Sequence, residues 1–127
     1  QHVLEPISGY LLIGHKLLNK NLKKNLLPSW NFGPELKNCR TVGTVTELVK
    51  ESWHKKNIKI KIQSTNTYYE SKFLSLNIQK AKKELGWEPK LNLKETVKLT
   101  VDWYTEYFKQ KNVENITQDQ IQFFLDK

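Results

Sequence analysis

Apolar positions fall into two periods along the chain, one near 3.6 and one near 2, and their alternation outlines the elements. From Glu5 to about Asn21, Tyr10, Leu11, Ile13, Leu17 and Leu18 recur at helical spacing, with Pro6 in a first turn that needs no amide donor. Leu26–Gly33 is short, aromatic and bounded by Pro28 and Pro34, which predicts a buried strand running into a loop. Thr44 and Glu47 have capping-box spacing and open a second predicted helix whose inward face is Val45, Leu48, Val49 and Trp53. Ile58–Gln63 alternates strictly between apolar residues and Lys, as a strand with one solvated face does.

Phe73, Leu74 and Leu76 predict a further short strand, and Asn77 can then cap a helix over Ile78–Leu85 that Gly86 ends in the left-handed conformation. Asn92 and Glu95 start the longest predicted helix, about Leu93 to Lys109, with Leu93, Val97, Val101, Tyr104 and Phe108 on one face. Thr117 and Gln120 have the same capping spacing before Ile121, Phe124 and Leu125 in a terminal helix. Helices and strands alternate with no fixed repeat, so the expected class is α/β: mainly helical with a few short strands, too few to close a sheet.

Composition narrows the function. The 127 residues include 11% aromatics, enough with this regular spacing to argue for one packed core. No apolar run approaches the ~20 residues of a membrane span, so no membrane partner is expected. The formal charge is +8, but Arg40 is the only Arg, and the 20 Lys are scattered along the chain. Base and phosphate readers lean on the bidentate guanidinium, so a solvated surface is expected rather than a nucleic-acid partner. A single Cys, Cys39, excludes an internal disulfide and a cysteine-rich zinc site, and it points to a cytoplasmic setting. The chain has no Met and starts with Gln followed by an ordered-looking stretch, which suggests a piece of a longer protein.

Local chemistry is sparse. Gly9, Gly14, Gly33, Gly43 and Gly86 never fall into a phosphate-cradling spacing, and His2, His15 and His54 have no partner at metal-ligand spacing. No catalytic or metal residue is therefore assigned. Tyr68 and Lys72 have the Tyr-x-x-x-Lys spacing of short-chain dehydrogenases, but a strand-like context and no preceding cofactor fold make the match coincidental.

Five segments carry a resemblance: "QHVLEPISGYLL" at 1–12, "WNFGP" at 30–34, "RTVGTVTELV" at 40–49, "LGWEP" at 85–89 and "TVDWY" at 100–104. In order and spacing they resemble CDP-glucose 4,6-dehydratases, extended short-chain dehydrogenase/reductases that act on nucleotide sugars; "LGWEP" is shared with sugar-nucleotide epimerases. The resemblance implies a parent enzyme whose N-terminal Rossmann domain, absent from this chain, binds NAD. Residues 1–127 would be the C-terminal nucleotide-sugar-binding region. It further implies a lyase reaction: hydride leaves sugar C4, water is lost across C5–C6, and hydride returns to C6, giving CDP-4-keto-6-deoxyglucose for dideoxysugar and polysaccharide synthesis. The parent would be a cytoplasmic homodimer, and this region alone would be inactive.

The resemblance also assigns substrate-side residues. Gln1 and His2 match the motif that approaches the substrate, and Asn31 matches a position whose amide faces the nucleotide sugar. Glu70 falls where relatives hold an acidic residue near the ribose, although Tyr69 stands where the subfamily carries His. Glu5 and Pro6 are expected to start the first helix, and Leu85, Trp87 and Pro89 to pack the terminal helices. Another nucleotide-sugar epimerase or dehydratase, and a non-catalytic basic binding module, are the alternative readings.

Overall fold

The computed structural model of the chain describes residues 1–19, 29–53, 58–61 and 75–127. Its elements are α1 (Leu4–Leu18), a short 3-10 turn (Leu36–Asn38), α2 (Val42–Ser52), a π-turn (Ala81–Leu85), α3 (Leu93–Phe108) and α4 (Glu114–Leu125). The expected α/β class is corrected: among the described residues there are helices and turns but no strand. An alternating pattern makes a strand only where a second strand supplies the ladder of hydrogen bonds. Among the described residues, 58–61 and 29–35 find no such neighbour and run as irregular chain. Residues 26–28, 62–63, Phe73 and Leu74, which belonged to the same predicted strands, lie outside the described residues, as do Tyr68 and Lys72.

The core forms where the 30–34 segment passes between α1 and the π-turn. Phe32, Ile78, Ala81, Leu85 and Trp87 are buried together, with Leu12, Ile13 and Trp30 against them. The Phe32 and Trp87 rings meet edge to face at 4.9 Å. Gly9 makes this approach possible, because a Cβ there would lie 2.4 Å from the Phe32 ring. The two indoles also find partners: Trp87 Nε1 donates to Ser8 Oγ at 2.9 Å and Trp30 Nε1 to Glu84 Oε2 at 2.8 Å. Lys16 Nζ reaches the Glu84 carbonyl at 3.4 Å, closing α1 onto the π-turn.

Several expected termini hold. Asn77 Oδ1 accepts from the Gln79 amide at 3.0 Å, and Gly86 ends that helix at φ 71°. Asn92 and Glu95 form a reciprocal capping box at the start of α3. Others shift. α2 begins at Val42 with Thr41 as its cap, Thr41 Oγ1 accepting from the Thr44 amide, so the predicted Thr44–Glu47 box does not form. α4 begins at Glu114, whose amide donates to Asn112 Oδ1; Thr117 therefore sits inside the helix, donating to the Val113 carbonyl at 2.7 Å.

The stripe predicted for α1 holds at Ile13 alone. Tyr10, Leu11, Leu17 and Leu18 are exposed, and the face turned inward carries Glu5, Gly9, Leu12 and Ile13. The inward face of α2 is as expected, with Val45, Leu48, Val49 and Trp53 half-buried and the helix packed on α3. α4 lies across α3, with Phe124 buried and Lys90 Nζ on its carbonyl at 3.1 Å.

Candidate functional site

The site is built around the first five residues. Gln1 sends its side-chain amide nitrogen to the Phe32 carbonyl at 3.0 Å, tying the chain start to the core aromatic segment. His2 is buried; its carbonyl accepts from the Glu5 amide at 3.1 Å, and its Nδ1 accepts from the Leu4 amide at 3.4 Å. An Nδ1 that accepts must be unprotonated, which leaves the proton on Nε2. Burial holds the imidazole below its ordinary pKa, so the neutral ring is the form at physiological pH.

Glu5 does not act as the simple helix-start carboxylate that the sequence suggested. Its side chain is turned across the fold, where Oε1 accepts from the Lys90 amide at 2.9 Å and the Leu91 amide at 2.7 Å. It thereby clamps the chain after "LGWEP" to the first turn of α1. Oε2 is buried and has no hydrogen-bond partner among the described residues. Burial pushes this carboxyl above its usual pKa, while the Leu91 and Lys90 amides pull it back in part.

A cavity of about 400 Å³ opens beside this corner, walled by Gln1, His2, Thr100, Trp103, Tyr104 and Gln120 among others. Its size is that of a small-molecule cleft. α3 and α4 shape the far wall through two hydrogen bonds: Trp103 Nε1 to Thr117 Oγ1 at 3.0 Å, and Gln120 Nε2 to the Leu99 carbonyl at 2.8 Å. Aromatic faces beside amide, imidazole and hydroxyl groups suit a ligand with both hydroxyls and flat or ring surfaces.

The structure brings Gln1 and His2 to one cavity and leaves Asn31 out of it. Asn31 is exposed and its amide nitrogen lies 3.4 Å from the Asn77 carbonyl. That corner adjoins a separate cavity of about 420 Å³ lined by Pro34, Glu35, Leu76 and Asn77. Glu70 lies outside the described residues. The Trp103, Thr117 and Gln120 wall was missed in the sequence, where Thr117 and Gln120 were read as a cap. The available signal was Gln120 one turn before Phe124, a polar side chain on a buried stripe. No group of three or more metal-ligating side chains is found among the described residues, and none of the described helices is long and apolar enough to cross a membrane.

No family model matches the chain. Similarity to a known protein, a dehydratase by its name, nonetheless bears out the resemblance read from the motifs. The relative is CDP-glucose 4,6-dehydratase of Salmonella typhimurium: the chain is 30% identical to it over 113 residues, a stretch that takes in 89% of this chain. The chain spans 31% of the length of that relative.

Proposed function

We propose that residues 1–127 are the C-terminal, nucleotide-sugar-binding region of a nucleotide-sugar 4,6-dehydratase that converts CDP-glucose to CDP-4-keto-6-deoxyglucose and water. The observation that carries this reading is the similarity to the Salmonella enzyme over nearly the whole chain, joined to a motif whose first four residues, Gln1–Leu4, form one wall of a ligand-sized cavity. The His2 Nε2–H and the Gln1 amide face sugar hydroxyls, with the neutral imidazole donating rather than carrying charge. Asn31, and Glu70 near the ribose, complete the nucleotide end in this reading. The enzyme works in the cytoplasm as a homodimer.

The residues of this chain do not fit NAD: its five glycines have no dinucleotide-loop spacing. The reading therefore places the cofactor on an N-terminal Rossmann domain of the parent, and the role of this region is to bind and orient the sugar nucleotide. The test is turnover by the full-length polypeptide that carries these residues, offered CDP-glucose, dTDP-glucose and GDP-mannose in parallel and read as 4-keto product. Product from CDP-glucose alone is expected. Turnover of only the other two rejects the CDP assignment, and no product from any sugar nucleotide rejects the reading.

A further inference from the structure

The start of the chain, the segment after "WNFGP", the exit of "LGWEP" and the first turn of α3 converge on one small polar junction. Gln1 and Glu5, Asn38, Pro89 and Leu91, and Thr96 line a cavity there of about 50 Å³. Glu5 is only 2% exposed, and the Lys90 and Leu91 amides both donate to its Oε1. Its other oxygen, Oε2, is buried with no donor among the described residues. Such an oxygen is costly to bury, and nearly all buried polar groups find a partner in protein or in ordered water. The surroundings narrow what that partner is. Proline has no N–H, so Pro89 and the adjoining Pro34 offer the cavity carbonyl oxygens at most. The Lys90 ammonium is turned elsewhere, onto the Phe124 carbonyl at 3.1 Å and over the Phe124 ring. Gln1, Asn38 and Thr96 bring amides and a hydroxyl that can both donate and accept.

We propose that this junction is a built water site: an enclosed water molecule donates one hydrogen to Glu5 Oε2 and bonds to the side chains of Asn38, Thr96 or Gln1. It thereby ties the first turn of α1 to the 3-10 turn and to the first turn of α3. Space and polarity both suit water. Roughly 10–15 Å³ is enough for one molecule, and a buried water makes about three hydrogen bonds, which these side chains supply. A metal ion suits the junction less well. A hard divalent cation takes about six oxygen ligands or more, and Glu5 is the single carboxylate among the residues that line the cavity. Burial pushes the Glu5 carboxyl above its usual pKa, and a donating water works against that rise by stabilising the charged form. Gln1 lines this cavity and the larger one beside His2, so the enclosed water stands behind the wall that a ligand meets. The site follows from Glu5 and its neighbours and holds whichever sugar nucleotide is turned over.

The test is a crystal structure of the full-length polypeptide at a resolution that shows ordered water, determined in potassium chloride and again with rubidium chloride in its place. A density peak about 2.5–3.0 Å from Oε2 is expected, with a second contact to Asn38, Thr96 or Gln1 and no anomalous signal from rubidium. Glu5→Gln should keep the peak, because an amide nitrogen in place of Oε2 donates to the same water. Four results overturn the proposal. A rubidium signal at the peak makes the occupant a cation, and so does a peak that disappears in Glu5→Gln. A donor from elsewhere in the polypeptide on Oε2 leaves no role for water. The absence of any peak within about 3.5 Å of Oε2 makes the cavity dry. The parent structure decides by itself if the variant does not crystallise.

Discussion

Glu5 is the residue whose removal discriminates most sharply between a helix-start role and a clamp role. Its Oε1 is the acceptor for both the Lys90 and the Leu91 amides, and Leu91 is buried. In Glu5→Ala the Leu91 amide is left unpaired away from water, at about 1–3 kcal/mol, and the Lys90 amide turns to solvent at about 0.5–1.5 kcal/mol. Relief of a buried carboxylate with one orphaned oxygen offsets part of this, so a net loss of about 2–3 kcal/mol is expected. Glu5→Gln keeps the accepting oxygen and removes the charge, and should stay within about 1 kcal/mol of the parent sequence. Urea unfolding of the 127-residue chain followed by tryptophan fluorescence measures both. The pH dependence separates the roles further. Because the folded pKa of Glu5 is raised, its contribution is fully present below the ordinary value of 4.5 and is lost as pH rises through the folded value. His2 has the opposite sign: its pKa is lowered, so its contribution is full above 6.5 and declines as pH falls toward the folded value. Subtracting the Glu5→Gln curve from that of the parent sequence isolates the first effect. An alanine variant within about 0.5 kcal/mol of the parent, or parallel pH curves for the parent and Gln variants, would refute the clamp.

Two further substitutions test the packing. Gly9→Ala sets a methyl group 2.4 Å from the Phe32 ring, so overpacking outweighs the gain in helix propensity and about 1–2 kcal/mol is lost; Gly14→Ala meets nothing within 4 Å and gains about 0.5–1 kcal/mol in the isolated chain. The same change in one helix thus carries opposite signs, and equal midpoints in urea would contradict the described contact. Asn92→Ala removes the acceptor for the Glu95 amide at 3.0 Å and should cost about 1 kcal/mol, read as a lower thermal midpoint by circular dichroism; an unchanged midpoint means the box is not formed in solution.

How much of this was legible follows from the range over which each signal acts. Asn77, Gly86, Asn92 and Glu95 act within a single turn, so their spacing alone locates the ends they make. Even local signals compete, however. Thr41 and Thr44 both precede an apolar run, and the upstream Thr41 takes the cap while its Oγ1 lies 3.0 Å from that of Thr44. A strand pattern is a promise about a neighbour, and "IKIKI" cannot show whether a ladder partner exists. The inward face of α1 was illegible for a related reason. Hydrophobicity points toward Leu11, Leu17 and Leu18, but the burial that wins is set by Phe32 seated on Gly9 and by two backbone amides 85 and 86 residues from Glu5. The cavity obeys the same rule. His2 could be singled out because its motif is contiguous, while Trp103 and Gln120 reach it from about a hundred residues further along. The cavity is therefore written in pairs of distant segments, and among the described residues α1 is held by such pairs on one side only.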